Sequence, residues 1–320
     1  MILFKRENKV ERNKYTGVCL CNKKMALSTK FVRAQLSVLK PLLTQMTIEK
    51  SRTAQDIIGN IMAGILDKKT VHIPCPFARF EGEHILPLDK KREGLIFYLH
   101  GGGYTAGSIK YARGFASVLA ARNGMETFCA AYRLAPEHPY PAALEDALEA
   151  YEYLLKKDYG QQNIILCGES AGGGLIYALA QAIKRERLTM PKGMIAISPW
   201  MDLTLSGRSL EENRETDPSL SRQSLECFTA AYLPNGQSPE DPLVSPLFGN
   251  FVDFPPSVLF AGGAEILLDD AVRMQKVLIS YGNKVTLFIQ KNMWHAYVLY
   301  GIKEAREDLS RINKFIRRLY

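Results

Sequence analysis

At 320 residues, with 47% hydrophobic and 23% charged, the chain has the balance of a globular protein with a sizeable core. No apolar run approaches the roughly 18 residues that a membrane span needs, and the charged 1–9 segment lacks the apolar region of a signal peptide, so a cytoplasmic protein is expected. The net charge of +8 lies partly in two basic runs, 5–24 and 303–318, which read as solvated faces, since no nucleic-acid-binding motif accompanies them.

In chain order, residues 1–24 are polar and aperiodic, an N-terminal arm. Two helical patterns follow. Ser28–Gln45 carries Phe31, Val32, Leu36, Leu39, Leu42 and Leu43, with Pro41 predicting a kink or break. Thr53–Asp67 carries Ile57, Ile58, Ile61, Met62, Ile65 and Leu66 at helical spacing. Because these helices precede any strand, residues 25–68 are placed to cover the sheet as a cap. Val71–Leu88 reads as an edge hairpin turning at Glu81-Gly82-Glu83.

From there, strands and helices alternate. Strands are expected at Gly94–His100, Glu126–Arg133, Asn163–Gly168, Gly193–Pro199, Ser257–Gly262 and Lys284–Gln290. Helices are expected near Ser108–Asn123, Pro141–Lys157, Ala171–Arg187, Ser221–Tyr232, Asp269–Tyr281 and Lys303–Arg318. Nearly continuous apolar strands alternating with helices imply an α/β fold, a mostly parallel sheet covered on both faces. One catalytic domain over 69–320 is expected, with residues near 201–230 joining the cap. The last helix places Ile302, Ala305, Leu309, Ile312 and Ile316 on one face. The six cysteines (19, 21, 75, 129, 167 and 227) lack metal-ligand spacing. Cys129 and Cys167 lie in apolar runs and read as buried free thiols, so neither a disulfide nor a structural zinc is expected.

The chemistry concentrates at the ends of two strands. Ile164–Cys167 stops at Gly168-Glu169-Ser170-Ala171-Gly172, and a helix-compatible run follows, the context of a nucleophile elbow with Ser170 at its apex. Strand Leu95–Leu99 runs into His100-Gly101-Gly102-Gly103-Tyr104, whose unshielded amides suit a developing oxyanion, with Ala171 N–H as the partner donor. As a dinucleotide loop this stretch fails, because the third glycine comes at 107 and no acidic residue ends a second strand near 120. An acyl-transfer serine needs a base and an orienting carboxylate. His295 is the sole histidine beyond position 170, and it falls on the loop after the last strand. Glu265 lies on the loop after the preceding strand and is the favoured acid. Asp269 and Asp270, which fit a helix start, are the alternatives.

From about residue 70 to its end the chain resembles the hormone-sensitive-lipase-like, or family IV, carboxylesterases of the α/β-hydrolase superfamily. The resemblance rests on His100-Gly-Gly-Gly103, Tyr132-Arg-Leu-Ala-Pro-Glu-His-Pro139, Gly168-Glu-Ser-Ala-Gly-Gly173 and Ser198-Pro-Trp-Met-Asp-Leu203. Asp241-Pro-Leu-Val-Ser-Pro246, Glu265-Ile-Leu-Leu-Asp-Asp270 and Trp294-His295 complete it. It implies an eight-stranded α/β-hydrolase sheet and a cofactor- and metal-independent serine esterase for short- to medium-chain esters. It also implies a mobile N-terminal cap and, for many members, a homodimer, in some through the last strand.

By motif position, Ser170 is the nucleophile, His295 the base and Glu265 the acid. The oxyanion donors map to Gly101, Gly102 or Gly103 with Ala171, and Glu169 holds the elbow. The sequence departs from the family at Ala131, where an acidic residue usually precedes Tyr132-Arg133. Tyr104, Trp200, Met201 and Leu205 are expected to wall the substrate pocket, with the two N-terminal stripes on its acyl side. The rival readings are an amidase or deacetylase on the same triad and a non-catalytic ligand-binding relative. The plant gibberellin receptors are of the second kind and lack the histidine that stands here at 295.

Overall fold

Strands β3 (Leu95–Leu99) and β5 (Ile164–Glu169) are buried at every position, as strands covered on both faces must be. Their side chains alternate between two cores. Phe97, Leu99 and Leu166 point to one, and Ile96, Tyr98, Ile165 and Cys167 to the other. The structure, a computed structural model, describes residues 28–44, 47–66, 69–159 and 163–320. The expected arm at 1–24, the Cys19/Cys21 pair, and the side chains of Leu42, Leu43, Ile58, Ile61, Met62, Ile65 and Leu66 lie outside the described residues.

The remaining strands are β1 (Thr70–Pro76), β2 (Glu81–Pro87), β4 (Glu126–Ala131), β6 (Gly193–Ile197), β7 (Ser257–Gly262) and β8 (Val285–Gln290). The eight form one sheet in the order β1-β2-β4-β3-β5-β6-β7-β8. β2 pairs antiparallel with β1 and β4, and every other pairing is parallel. The helices are α1 (Thr29–Thr44), α2 (Ile48–Leu66), α3 (Ile109–Asn123), α4 (Ala142–Leu154), α5 (Ala171–Arg185), α6 (Ser209–Glu212), α7 (Arg222–Tyr232), α8 (Leu268–Ser280) and α9 (Lys303–Leu319).

Helices α4, α5 and α8 cover one face through residues such as Ala147, Leu179 and Met274, while α3 and α9 cover the other through Phe115, Leu119, Leu309 and Ile312. The predicted apolar face of α9, from Ile302 to Ile316, is buried throughout. Each fully buried Leu, Ile or Phe contributes about 1.5–3 kcal/mol relative to exposure, so this two-sided core fixes the sheet against which the loops are placed. Among the described cysteines, Cys75, Cys129, Cys167 and Cys227 are free, with Cys129 and Cys167 buried.

Two local expectations are corrected. The edge hairpin turns at Phe77–Phe80, where Phe77 N–H donates to Phe80 O at 3.0 Å and the two rings stack at 4.2 Å. Glu81, Gly82 and Glu83 instead belong to β2. Glu83 reads as a turn residue because a lone buried carboxylate is costly. It is tolerated in the strand because His72 Nδ1 (2.6 Å) and Arg113 (2.7 Å) both reach it. Pro41 does not break α1, which runs from Thr29 to Thr44. Position 41 lies in the last turn of the helix, and the amide it lacks removes a single i→i−4 hydrogen bond there.

The chain leaves β3 on one side to form β4 and returns on the other to form β5. The carboxyl ends of β3 and β5 therefore flank the point where strand order reverses, which is where open α/β sheets place a ligand crevice. The loop from His100 to Gly107 and the turn at Ser170 leave the sheet there.

Candidate active site

Ser170 sits between β5 and α5 at φ 54°, ψ −124°, a strained conformation for a residue with a Cβ. Its surroundings over-determine it. Ser170 N–H donates to Ile197 O (3.0 Å), and Ser170 O accepts from Trp200 N–H (2.9 Å) and Gly174 N–H (3.2 Å). A Cβ at Gly168 would come within 2.2 Å of Gly172 O, and one at Gly172 within 2.1 Å of Leu99 O. The sharp turn therefore closes only with glycine at both positions.

His295 Nε2 lies 2.9 Å from Ser170 Oγ. On its other side, Nδ1 stands 3.9 Å from Glu265 Oε2, beyond hydrogen-bond reach. Glu265 is fully buried on the loop after β7. Ser198 links it to the histidine loop, since Ser198 Oγ donates to Glu265 Oε2 (2.6 Å) and accepts from Ala296 N–H (3.0 Å). Burial pushes the Glu265 carboxyl well above the carboxylate range, against the pull of the Ser198 hydroxyl. Burial also lowers His295 to about 4, with the Asp217 carboxylate pulling the other way. Both directions follow from desolvating a charged form.

The alternative acids are engaged elsewhere. Asp270 accepts from Met201 N–H (2.7 Å) and Asp202 N–H (3.0 Å), and Asp269 accepts from Arg208 N–H at 2.7 Å. They organise the 201–209 loop, and the structure brings neither to His295.

The glycine loop is held by Glu169. Its carboxylate accepts from Gly101 N–H (2.6 Å), Tyr98 Oη (2.5 Å) and Tyr111 Oη (3.1 Å). Burial raises it to about 7 against these donors. The Gly101 amide is thus directed at Glu169, and of the expected oxyanion donors Gly102, Gly103 and Ala171 remain. His100 is buried, donates from Nδ1 to Gly101 O (2.7 Å) and stacks on Tyr132 at 4.3 Å. It braces the loop.

The residues expected on the pocket wall are buried or half-buried. Tyr104, Trp200 and Met201 are 2%, 0% and 0% exposed. Tyr104 stacks on Tyr232 at 3.9 Å, and Trp200 Nε1–H donates to Asp202 O. Leu205 is half-buried against the same core. Tyr104, Trp200 and Met201, from the loops after β3 and β6, join the core under the elbow. The ring of Phe228 on α7 is the one that lies against the glycine loop, so close that a Cβ at Gly103 would come within 2.4 Å of it. No sequence pattern near Phe228 marks it.

Several residues that place these loops also went unmarked in the sequence. Asn213 Nδ2 donates to Glu265 O (2.8 Å), Thr216 Oγ1 donates to Ala264 O (3.2 Å), and Asp217 accepts from Ile266 N–H (3.0 Å). On the other side, α2 grips the glycine loop. Arg52 donates to Thr105 O (2.7 Å) and pairs with Glu137, and Asp56 accepts from Ser108 Oγ.

A strained serine at the apex of a strand–turn–helix, a histidine within hydrogen-bond reach and a glycine loop beside it define an α/β hydrolase. Over residues 96–299 the chain matches the family described as the alpha/beta hydrolase fold. It is 36% identical over 249 residues to an esterase of Acinetobacter venetianus, a span of 77% of this chain and 82% of that one. It is 34% identical over 266 residues to an acetyl-hydrolase of Streptomyces hygroscopicus, 82% of this chain and 86% of the relative. The crystal structure of an esterase from the bacterial hormone-sensitive lipase family aligns with a TM-score of 0.83 at 30% identity, covering 92% of this chain and 99% of that one. The chain belongs to the α/β-hydrolase fold family, in its hormone-sensitive-lipase-like branch of carboxylesterases.

Proposed function

We propose that this carboxylesterase hydrolyses short- to medium-chain esters by a two-step acyl transfer on Ser170. The observation that carries the reading is His295 Nε2 at 2.9 Å from the Oγ of a serine held at φ 54°. His295 takes the Ser170 proton as Oγ attacks the ester carbonyl, and the oxyanion develops against the amides of Gly102, Gly103 and Ala171. The imidazolium then protonates the departing alcohol. Water, deprotonated by the same imidazole, attacks the acyl-enzyme, and the acid leaves as Ser170 regains its proton. Glu265 holds the imidazole tautomer and stabilises its charged form.

Helices α1, α2 and α7 form the cap in this reading, and Phe228 on α7 limits the space beside the glycine loop. A short acyl group fits that closeness, and the Streptomyces relative is by its name an acetyl-hydrolase. Among the described residues no helix is long and apolar enough to cross a membrane. The free thiols fit a reducing, cytoplasmic setting, and the outer strand β8, with Ile289 half-exposed, leaves an edge for a homodimer.

The test is hydrolysis of p-nitrophenyl esters of increasing acyl length beside Ser170→Ala. Serine-dependent turnover that peaks at short or medium chains is expected. Turnover of matched amides exceeding that of esters would replace the esterase with an amidase or deacetylase. A folded protein inert toward both would point to a ligand-binding relative.

A further inference from the structure

The separation of Glu265 from His295 is set by where two loops sit, because no hydrogen bond joins the two side chains. On the sheet side these loops touch directly. Gly263 N–H donates to Gln290 O and Ala264 N–H to Met293 O, both at 2.9 Å. On the outer side they are joined through the cap. The 213–217 segment clamps the acid loop through the Asn213, Thr216 and Asp217 bonds described above. Asp217 is itself fully buried, and its other oxygen accepts from Ser219 N–H (2.9 Å) and Ser219 Oγ (2.8 Å).

Helix α1 then ties this clamp to the histidine loop. Arg33 donates from one guanidinium nitrogen to Thr216 O (2.5 Å) and from another to Asn292 O (2.7 Å), three residues before His295. Lys40, two turns along α1, donates to Arg214 O (2.8 Å) and Asp217 O (2.6 Å). At its start, Thr29 Oγ1 donates to Glu304 Oε2 (2.6 Å), which anchors α1 to α9. A guanidinium suits this place because its planar fork presents donors in fixed directions, whereas an ammonium is a single point.

We propose that Arg33 is a positioning residue for the acid–histidine pair: its guanidinium, bridging Thr216 O and Asn292 O, fixes the placement of the Glu265 and His295 loops relative to each other. The helix that begins the cap is thereby part of the frame of the catalytic loops as well as a cover over them. The proposal rests on the triad assigned above.

The test compares Arg33→Ala, Arg33→Lys and Gln35→Ala, an exposed neighbour on α1, with wild type and Ser170→Ala on a p-nitrophenyl short-chain ester. kcat and KM are measured separately, at a temperature where each variant is shown to be folded by its melting curve. Arg33→Ala is expected to lower kcat about tenfold, within the range that loop misplacement produces, with KM unchanged. Arg33→Lys, which keeps the charge without the fork, is expected to fall between, and Gln35→Ala to match wild type.

A wild-type kcat in Arg33→Ala overturns the proposal, whatever KM does, since a pure lid residue would move KM alone. If Arg33→Ala is too unstable to assay, a wild-type kcat in Arg33→Lys overturns it instead. Near-normal turnover by Ser170→Ala would remove the triad reading itself, an outcome separate from either.

Discussion

His295 stands between two unequal partners: Nε2 is 2.9 Å from Ser170 Oγ, while Nδ1 is 3.9 Å from Glu265 Oε2 and makes no hydrogen bond. The serine side is already in register for proton transfer. The acid side has a gap whose closure would lower the Glu265 carboxyl and raise the imidazole together.

Glu265→Gln keeps the side-chain volume and removes the charge. Turnover is expected to fall roughly 100- to 10,000-fold, as for loss of the orienting carboxylate in other triads. Asp269→Ala should leave kcat close to wild type and lower the melting temperature, because that carboxylate holds the Arg208 amide. Equal losses of kcat in the two variants would contradict the assignment of the acid.

The base must be neutral to accept the serine proton. With His295 held down to about 4 by burial, the acidic limb of kcat/KM is expected to have its midpoint near that value. Activity is then full at neutral pH and lost as pH falls through the midpoint. A midpoint at the ordinary 6.5 or above would mean that the Glu265 contact outweighs burial in the free enzyme.

Gly102 has φ +114°, and a Cβ there would come within 2.2 Å of Ala106 O. Gly102→Ala must therefore move the loop proposed to offer the oxyanion amides. Loss of one such donor costs about 100- to 1,000-fold in kcat, and a loss of that size with little change in KM is expected in steady-state assays of the variant. Wild-type kcat would remove this loop from the oxyanion site.

Glu169 is raised by burial from 4.5 to about 7. The folded protein therefore binds a proton there that the unfolded chain has released, and stability from this group is present below about 4.5 and lost as pH rises through about 7. Thermal melts of wild type and Glu169→Gln across that window isolate the effect. The melting temperature of wild type is expected to decline relative to the variant, and parallel curves would show that the three donors offset burial fully.

Much of the fold was legible in the sequence, because strands buried on both faces read as unbroken apolar runs and helices as 3.6-residue stripes. The misread hairpin shows the limit of that pattern. Glu83 looks like a turn residue until His72, 11 positions away, and Arg113 arrive to pair with it. Tyr104, Trp200 and Met201, expected on the pocket wall, are buried in the core, since a side chain's place at the sheet edge depends on the distant segments that pack over it.

By itself the sequence determined the elbow at Ser170, the glycine loop and the order serine, acid, histidine, since those depend on local backbone demands and on one histidine being available. Only the tertiary structure engaged Asp269 and Asp270 with the 201–209 loop, directed the Gly101 amide at Glu169, and joined Arg33 to Thr216 and Asn292. Those choices depend on contacts between segments up to 259 residues apart, formed when the loops at the carboxyl ends of separate strands converge.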